Sequence, residues 1–213
     1  LHRPLPLASK DCEMLSLAIH RLILPVVAMT LVVVASNILV QYPFEPFGLG
    51  DYLTWGAFTY PVAFLVTDLT NRRYGPRVAR QLVVAGFVIA VILSIWLATP
   101  RIALASGTAF LVGQLLDITV FNRLRRQAWW RAPFVGSVIG SALDTALFFS
   151  LAFAGDPDMS GLVNVFGAGV MLWQSLALFD FSVKMLVALV ALLPYGALMS
   201  VILPMERAEK AAA

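Results

Sequence analysis

The sequence predicts an all-α membrane protein: a bundle of six transmembrane helices with both termini in the cytoplasm. The composition is the first observation, because 60% of the 213 residues are hydrophobic and 13% are charged, with a mean hydropathy of +0.86. Soluble domains carry about 25% charged residues. Six apolar segments and a one-sided distribution of Lys and Arg complete the pattern of a polytopic membrane protein.

The apolar segments are each long enough to cross a hydrocarbon core about 30 Å thick. They follow a polar N-terminal lead at residues 1–21 and precede a cytoplasmic tail at residues 204–213. A signal peptide is the alternative for the first segment, because Arg21 stands before an apolar run that ends in Ala35 and Ser36. We expect an outer loop with some helix at residues 155–169. We predict one transmembrane domain at residues 22–203, with spans at residues 22–40, 53–71, 78–99, 102–121, 133–154 and 174–203.

The second segment, residues 53–71, is expected to bend and to turn a polar face inward. Pro61 removes one backbone donor and clashes with the carbonyl group of Ala57, which predicts a kink. Polar and aromatic side chains fall on one stripe at helical spacing: Tyr60, Phe64, Thr67 and Asn71, with Asp68 at its edge. This stripe is too polar to face lipid.

Lys and Arg are distributed as the positive-inside rule requires. With both termini in the cytoplasm, all 15 of these residues lie on the cytoplasmic side except Arg101, which lies outside, and Lys184, which lies within a span. An odd number of spans would destroy this asymmetry. The formal net charge of +3 therefore reflects membrane topology, and we expect the lipid bilayer, and no nucleic acid, as a partner.

Several kinds of chemistry have no residues to support them. Cys12 is the single cysteine, and the histidines are His2 and His20, so we expect no disulfide, no metal site and no cofactor. The sequence lacks the GxxxxGK[ST] phosphate loop and the HExxH and GxSxG motifs of hydrolases. We therefore expect that this chain is not an enzyme and does not hydrolyse ATP.

Four ionisable side chains lie at membrane depth: Asp117, Asp144, Asp180 and Lys184. Each costs about 2.5–3.5 kcal/mol near a helix centre, so we expect them to face one another or a cavity. Three carboxylates and one ammonium group leave a net negative charge, which favours a resident proton or a cationic ligand. Our hypothesis is that at least one of Asp117 and Asp144 titrates or binds a ligand.

Structural roles are the alternatives for these residues. Asp180 and Lys184 stand one turn apart and also fit an i,i+4 ion pair. Asp117 and Asp144 also fit hydrogen-bonded groups that brace the bundle. Asp68 also fits a boundary pair with the arginines that follow it in the chain.

Small residues predict close helix packing beside these acids. The fourth segment carries a polar seam within an arc of about 100°: Phe110, Gly113, Gln114 and Asp117. In the fifth segment, Gly136 and Gly140 have the small-xxx-small spacing of packed membrane helices, and Asp144 lies one turn further along the same line. This line packs either within one bundle or across a homodimer, and the sequence leaves both alternatives open.

Amide and aromatic side chains accompany the carboxylates: Asn37 and Gln114, together with Trp55, Tyr60 and Phe64. Such a set suits a flat, polar heterocycle, because a carboxylate accepts two N–H donors while a ring stacks on an aromatic face. The predicted binding site comprises these five residues with Asp68, Asp117, Asp144, Asp180 and Lys184. Composition alone leaves a nucleobase, a vitamin and an amino acid as alternative ligands.

Four blocks of sequence resemble the VUT family of vitamin uptake transporters, specifically its queuosine precursor transporters. They are WGAFTYPVAFLVTDLTNRRYGPRVAR (Trp55 to Arg80), GQLLDITVFNRLR (Gly113 to Arg125), SALDTALFF (Ser141 to Phe149) and FDFSVKMLVALVALLPYG (Phe179 to Gly196). The resemblance implies a six-span importer of the bacterial inner (cytoplasmic) membrane. Its implied substrates are 7-cyano-7-deazaguanine and 7-aminomethyl-7-deazaguanine, which feed queuosine modification of tRNA.

The energy source of such an importer is left open by the residues. A facilitator and a proton-coupled transporter both fit the buried aspartates. The alternative function is the substrate-binding membrane component of an ATP-driven vitamin importer, which would depend on a separate ATPase subunit.

Overall fold

The structure is a computed structural model, and it describes residues 7–40, 42–49, 52–97, 99–165 and 167–202, with side chains from residue 22 onward except at residue 97. The start of the predicted N-terminal lead and the predicted tail at residues 204–213 lie outside the described residues. The chain is mainly helical. Its elements are α1 (Leu7–Leu39), a short 3-10 helix (Pro46–Gly48), α2 (Gly56–Thr59), α3 (Val62–Tyr74), α4 (Pro76–Leu97), α5 (Pro100–Leu124), α6 (Arg131–Phe153), β1 (Leu162–Val165), β2 (Ala168–Met171) and α7 (Leu172–Leu198).

Within the described ranges, five helices are long and apolar enough to cross a membrane: α1, from Leu22, and α4, α5, α6 and α7. The predicted class, a helical multi-pass membrane protein, is thereby confirmed. Five of the six predicted spans correspond to these helices, with ends shifted by a few residues. The fourth span begins at Pro100 rather than residue 102, because the Thr99 side chain accepts a hydrogen bond from Ile102 N at 3.4 Å and caps the helix.

The predicted second span, residues 53–71, is not one helix. It is divided into α2 and α3, and the interruption falls at Tyr60 and Pro61, where a kink was expected. Leu53 lies before α2 in an extended segment, where its carbonyl oxygen accepts a hydrogen bond from Phe44 N at 2.9 Å. Neither short helix reaches across a bilayer alone, so a sixth helical span is not seen among the described residues.

Helix α1 begins at Leu7, so residues 7–21 of the predicted N-terminal lead are helical. One further expectation needs correction. The segment at residues 155–169, expected to contain some helix, instead forms most of an antiparallel hairpin of β1 and β2, in which Leu162 pairs with Met171. Gly167 occupies the turn with φ 90°, a conformation that glycine adopts without strain.

The turns of the bundle lie at two opposite ends. At one end, Asn122 Nδ2 near the end of α5 donates to Asn71 Oδ1 near the end of α3 at 3.4 Å. At the other end, the Arg101 guanidinium at the start of α5 donates to the carbonyl oxygens of Leu151 and Ala154 at 3.0 and 2.6 Å. We call the first end the arginine end, because it carries the arginines at positions 72, 73, 77, 80, 123, 125, 126 and 131.

The glycine line of α6 packs against α5 of the same chain. A Cβ atom on Gly140 would lie 3.0 Å from the Gly113 carbonyl oxygen and 2.8 Å from the Phe64 ring, and one on Gly136 would collide with Asp117 Oδ1. Of the two alternatives, packing within one bundle is therefore observed. The glycine line is fully used inside the chain and gives no argument for a dimer.

Candidate functional site

A cavity of about 550 Å³ lies at the end of the bundle remote from the arginine end. We call it the chamber. Its walls come from the second half of α1, the segment from Tyr52 to Tyr60, the first turns of α5, the second half of α6 and the first half of α7. Ligand sites of about 300–1,000 Å³ are typical of proteins that enclose small molecules. The apolar bundle thus surrounds a space large enough for a two-ring heterocycle.

A cluster of three charged residues, one lysine between two aspartates, forms part of the chamber wall. Lys184 Nζ lies 2.7 Å from Asp144 Oδ2 on α6 and 2.6 Å from Asp180 Oδ2 one turn earlier on α7. It also donates to Thr145 Oγ1 at 3.0 Å. Thr145 in turn donates to Asp180 Oδ2 at 2.9 Å. The predicted i,i+4 pair of Asp180 and Lys184 is confirmed, and it extends to Asp144 on a second helix; we call these three charged residues the ion cluster.

Tyr60 is held against this cluster by the interruption between α2 and α3. Its hydroxyl group donates to Asp144 Oδ1 at 3.2 Å, and Lys184 Nζ lies 5.4 Å from the centre of its ring. Because Pro61 has no N–H, the helical hydrogen bonds are interrupted at this point, and Tyr60, whose backbone keeps helical angles, lines the chamber. Both oxygens of Asp144 are therefore occupied, one by Lys184 and one by Tyr60.

The two carboxylates of the cluster differ in exposure. The Asp180 side chain is 17% exposed, against 3% for Asp144. Asp180 Oδ2 accepts from both Lys184 and Thr145, so Oδ1 is the oxygen outside this network. Asp180 is therefore the carboxylate of the cluster that is most available to a ligand.

Amide and aromatic groups complete the chamber. Asn37 lines it, and its Nδ2 donates to Val33 O at 2.9 Å. Phe148 and Phe149 line it beside Asp144, with their ring centres 5.1 Å apart at 86°. The two phenylalanines were missed as candidate site residues, although they stand four and five positions after Asp144 and lie roughly one helical turn from it.

Other predicted site residues lie outside the chamber. Trp55 is 42% exposed and packs edge-on against Phe44, with ring centres 4.8 Å apart. Phe64 is buried in the contact between α3, α5 and α6. Gln114, Asp68 and Asp117 are fully buried and belong to a second polar region nearer the arginine end.

This second region is built around Asp68 on α3 and Asp117 on α5, which we call the acid pair. Their carboxyl groups face each other closely enough to share a hydrogen bond. Asp68 therefore pairs with an acid and not with the arginines that follow it. The sequence predicts that the acids converge on one chamber, whereas the structure divides them between the ion cluster and the acid pair.

The difference in depth follows from the packing of α5 on α6. Gly113 lies level with Asp144, since a Cβ on Gly113 would approach Asp144 Cβ to 3.0 Å. Asp117 lies level with Gly136 and Gly140. One helical turn, about 5.4 Å, therefore separates the depth of Asp117 from that of Asp144.

Apolar helices around a chamber with buried charges define a multi-pass membrane protein of the transporter class. The chain matches the family described as "Putative vitamin uptake transporter" over residues 54–99 and 94–199. It belongs to this family, and the resemblance expected from the sequence is confirmed.

Three relatives extend the comparison. The chain is 37% identical over 195 residues to the queuosine precursor transporter of Escherichia coli (strain K12), covering 81% of this chain and 84% of the relative. It is 35% identical over 206 residues to the probable queuosine precursor transporter of Haemophilus influenzae (strain ATCC 51907 / DSM 11121 / KW20 / Rd), covering 81% and 83%. The probable queuosine precursor transporter of Bacillus subtilis (strain 168) is 28% identical over 191 residues, covering 76% and 77%. No solved structure matches the chain significantly.

Proposed function

We propose that this protein imports queuosine precursors, 7-cyano-7-deazaguanine and 7-aminomethyl-7-deazaguanine, across the bacterial inner membrane for queuosine modification of tRNA. The observation that carries the proposal is the chamber with Asp180 exposed at its wall, in a chain whose relatives are named queuosine precursor transporters. Asn37, Tyr60 and Asp180 line this chamber as candidate substrate-binding groups, and Asp144 and Lys184 line it as the charged partners that hold them.

Asp180 is the residue that recognises the guanine-like edge of the substrate. A lysine ammonium has three N–H donors, and those of Lys184 have three acceptors in Asp144, Asp180 and Thr145. Lys184 therefore positions Asp180 and does not itself bind the ligand. Asp180 Oδ1, the oxygen outside the network of Lys184 and Thr145, accepts an N–H group of the guanine-like edge of a 7-deazaguanine.

The remaining surfaces of the chamber match the flat ring system. Phe148 and Phe149 offer apolar ring surface on α6, and Tyr60 adds a further ring to the chamber lining. Two carboxylates and one ammonium group give the ion cluster a net charge of −1 when all three are ionised. This charge favours the cationic aminomethyl compound over the neutral cyano compound.

We further propose that both termini are cytoplasmic and that α2 and α3 together form the sixth crossing. The two helices span residues 56–74, about the number that a membrane crossing needs at 1.5 Å per residue. The arginine end is then cytoplasmic under the positive-inside rule. The chamber lies at the opposite end, so this structure represents an outward-facing state.

Uptake of radiolabelled precursor tests the proposal in a bacterial strain that lacks both precursor synthesis and its own importer. Cells carrying this protein should accumulate label and recover queuosine in tRNA. Asp180→Asn should reduce both, whereas Asp158→Asn, which alters an exposed carboxylate in the loop after α6, should not. Equal uptake by cells with and without the protein would refute the proposed function.

The energy source distinguishes the proposed importer from the alternative, an ATP-driven importer. Dissipating the proton gradient while ATP is maintained should abolish accumulation by a proton-coupled importer. A facilitator should still equilibrate the substrate, and an ATP-driven importer should still accumulate it. Loss of uptake on ATP depletion with the gradient preserved, together with co-purification of an ATPase, would replace our proposal with this alternative.

A further inference from the structure

The acid pair lies in a polar region where several buried side-chain atoms have no hydrogen-bond partner among the described residues. Both oxygens of Asp117 and Oδ1 of Asp68 are buried without a hydrogen-bond donor among the described residues. The same holds for Thr67 Oγ1, next to Asp68, and for both amide atoms of Gln114, one turn before Asp117. Buried polar atoms nearly always have partners, so this region is incomplete without a bound species.

A proton bound between Asp68 and Asp117 is the simplest species that would supply a missing hydrogen-bond donor to this region. Ionised carboxylates are acceptors only, so two of them facing each other repel and form no hydrogen bond. With one proton between them, one becomes a donor to the other, and the buried pair carries a single negative charge. A shared proton would supply the donor that the buried oxygens of Asp68 and Asp117 lack.

No cation replaces this proton among the described groups that surround the pair. On α3, the Arg72 guanidinium hydrogen-bonds the hydroxyl group of Tyr195 on α7, and its Nε atom is buried without a hydrogen-bond partner among the described residues. Lys184 on α7 is held by the ion cluster. Arg125, beyond α5, is exposed. From α4, the inward-facing residues are apolar (Ala79, Leu82 and Val83), and α6 contributes Gly136 and the uncharged Ser137 and Ser141.

A narrow cleft lies between Asp68 of the acid pair and Lys184 of the ion cluster, and both residues line it. Its volume is about 10 Å³, which is roughly the space that one water molecule needs. Lys184 lines one part of this cleft, Asp68 and Tyr195 line the other, and Ser137 and Ser141 lie between them along α6. Hydroxyl groups at this spacing offer hydrogen-bonding positions for a water that relays protons.

We propose that Asp68 and Asp117 form the proton-binding site of a proton-coupled importer, loaded from the chamber through this cleft and emptied toward the arginine end past Tyr195. One proton leaves the outer water, binds to a carboxylate oxygen of the pair, and returns to the cytoplasmic water when the substrate is released. No bond of the substrate is changed. The inference rests on the proposed function, since it names the driving ion of the same import.

The test uses the full chain, purified and reconstituted into lipid vesicles with labelled 7-aminomethyl-7-deazaguanine outside. A pH gradient of one unit, acid outside, should drive accumulation up to about tenfold for one proton per substrate. A pH-sensitive dye inside the vesicles should report acidification on substrate addition. Asp68→Asn and Asp117→Asn should bring the accumulation ratio down to one while substrate still protects the protein against thermal unfolding. Asp68→Glu, which keeps a carboxyl group, should retain part of the accumulation.

The possible results separate the two proposals. Wild-type protein that exchanges substrate but accumulates no more with the gradient than without it would overturn the proton site and leave the substrate assignment intact. Accumulation driven by a sodium gradient, or wild-type accumulation by both asparagine variants, would also overturn it. Wild-type protein that neither binds nor exchanges the substrate would instead refute the proposed function. If the asparagine variants fail to fold, the dye signal of the wild type tests proton coupling: acidification inside the vesicles on substrate addition supports the proton site, and no acidification overturns it.

Discussion

Lys184 Nζ on α7 lies 2.7 Å from Asp144 Oδ2 on α6, forty residues away in sequence. This contact joins two helices at membrane depth and holds one wall of the chamber in place. It also sets the orientation of Asp180, because the same ammonium group lies 2.6 Å from that carboxylate. Removing members of this group separates its structural role from its role in binding.

Lys184→Met should destabilise the protein by about 3–5 kcal/mol, because it leaves two buried carboxylates without their cation. The midpoint of thermal unfolding in detergent measures the effect. The triple variant that adds Asp144→Asn and Asp180→Asn removes the unpaired charges and should recover most of the stability but none of the uptake. Equal stability of Lys184→Met and the wild type would show that the ion cluster does not stabilise the bundle.

Asp180→Asn should weaken substrate binding by about 10- to 100-fold, the equivalent of a charged hydrogen bond of about 1.5–3 kcal/mol. Lys184 keeps its contact with Asp144, so the folded bundle should remain. Direct binding of labelled precursor to the purified protein measures the loss, with Asp158→Asn as the matched control. Unchanged affinity in Asp180→Asn would remove this carboxylate from the recognition site.

Phe148→Leu should weaken binding by about two- to tenfold, since aromatic contacts contribute about 0.5–1.5 kcal/mol beyond their buried area. The phenylalanine lines the chamber, and leucine keeps much of its apolar volume. Phe134→Leu is the control, because Phe134 lies on the same helix but packs on Trp130, with ring centres 6.4 Å apart, away from the chamber. If both variants lose affinity equally, the effect arises from α6 as a whole.

Gly140→Ala should lower stability by about 1–3 kcal/mol through overpacking. The new methyl group would meet the Phe64 ring and the backbone of Gly113, and the latter has no side chain that can move aside. Gly161→Ala is the comparison, because a Cβ there meets nothing within 4 Å. Thermal unfolding of the two variants should differ clearly, and similar unfolding midpoints would mean that α5 and α6 can separate without cost.

Much of the fold could be predicted from sequence because the bilayer imposes simple rules. Apolar length predicted five of the long helices. The i,i+4 spacing of Asp180 and Lys184 predicted their contact, and small residues at Gly136 and Gly140 predicted close packing. These features depend on the geometry of a single helix, and a sequence specifies that geometry directly.

The second span and the site depend on contacts between elements, which spacing does not specify. Pro61 indicated a kink, and the helical hydrogen bonds are interrupted there although Tyr60 and Pro61 keep helical backbone angles. The hydrogen bond between Tyr60 and Asp144, which is 84 residues away, could not be predicted from spacing. The sequence likewise gives no relative depth for neighbouring helices. Asp117 and Asp144 therefore looked equivalent, although the packing of α5 on α6 places them about one turn apart.

The glycine contact between α5 and α6 also limits how the protein can move. The two backbones touch at Gly113 and Gly140, with no intervening side chain that could adopt another rotamer. These helices therefore behave as a rigid frame that carries Asp117 and Asp144 at a constant separation. If the protein exposes a substrate alternately to the two sides of the membrane, we expect the movement to occur in the helices packed around this frame and not between α5 and α6.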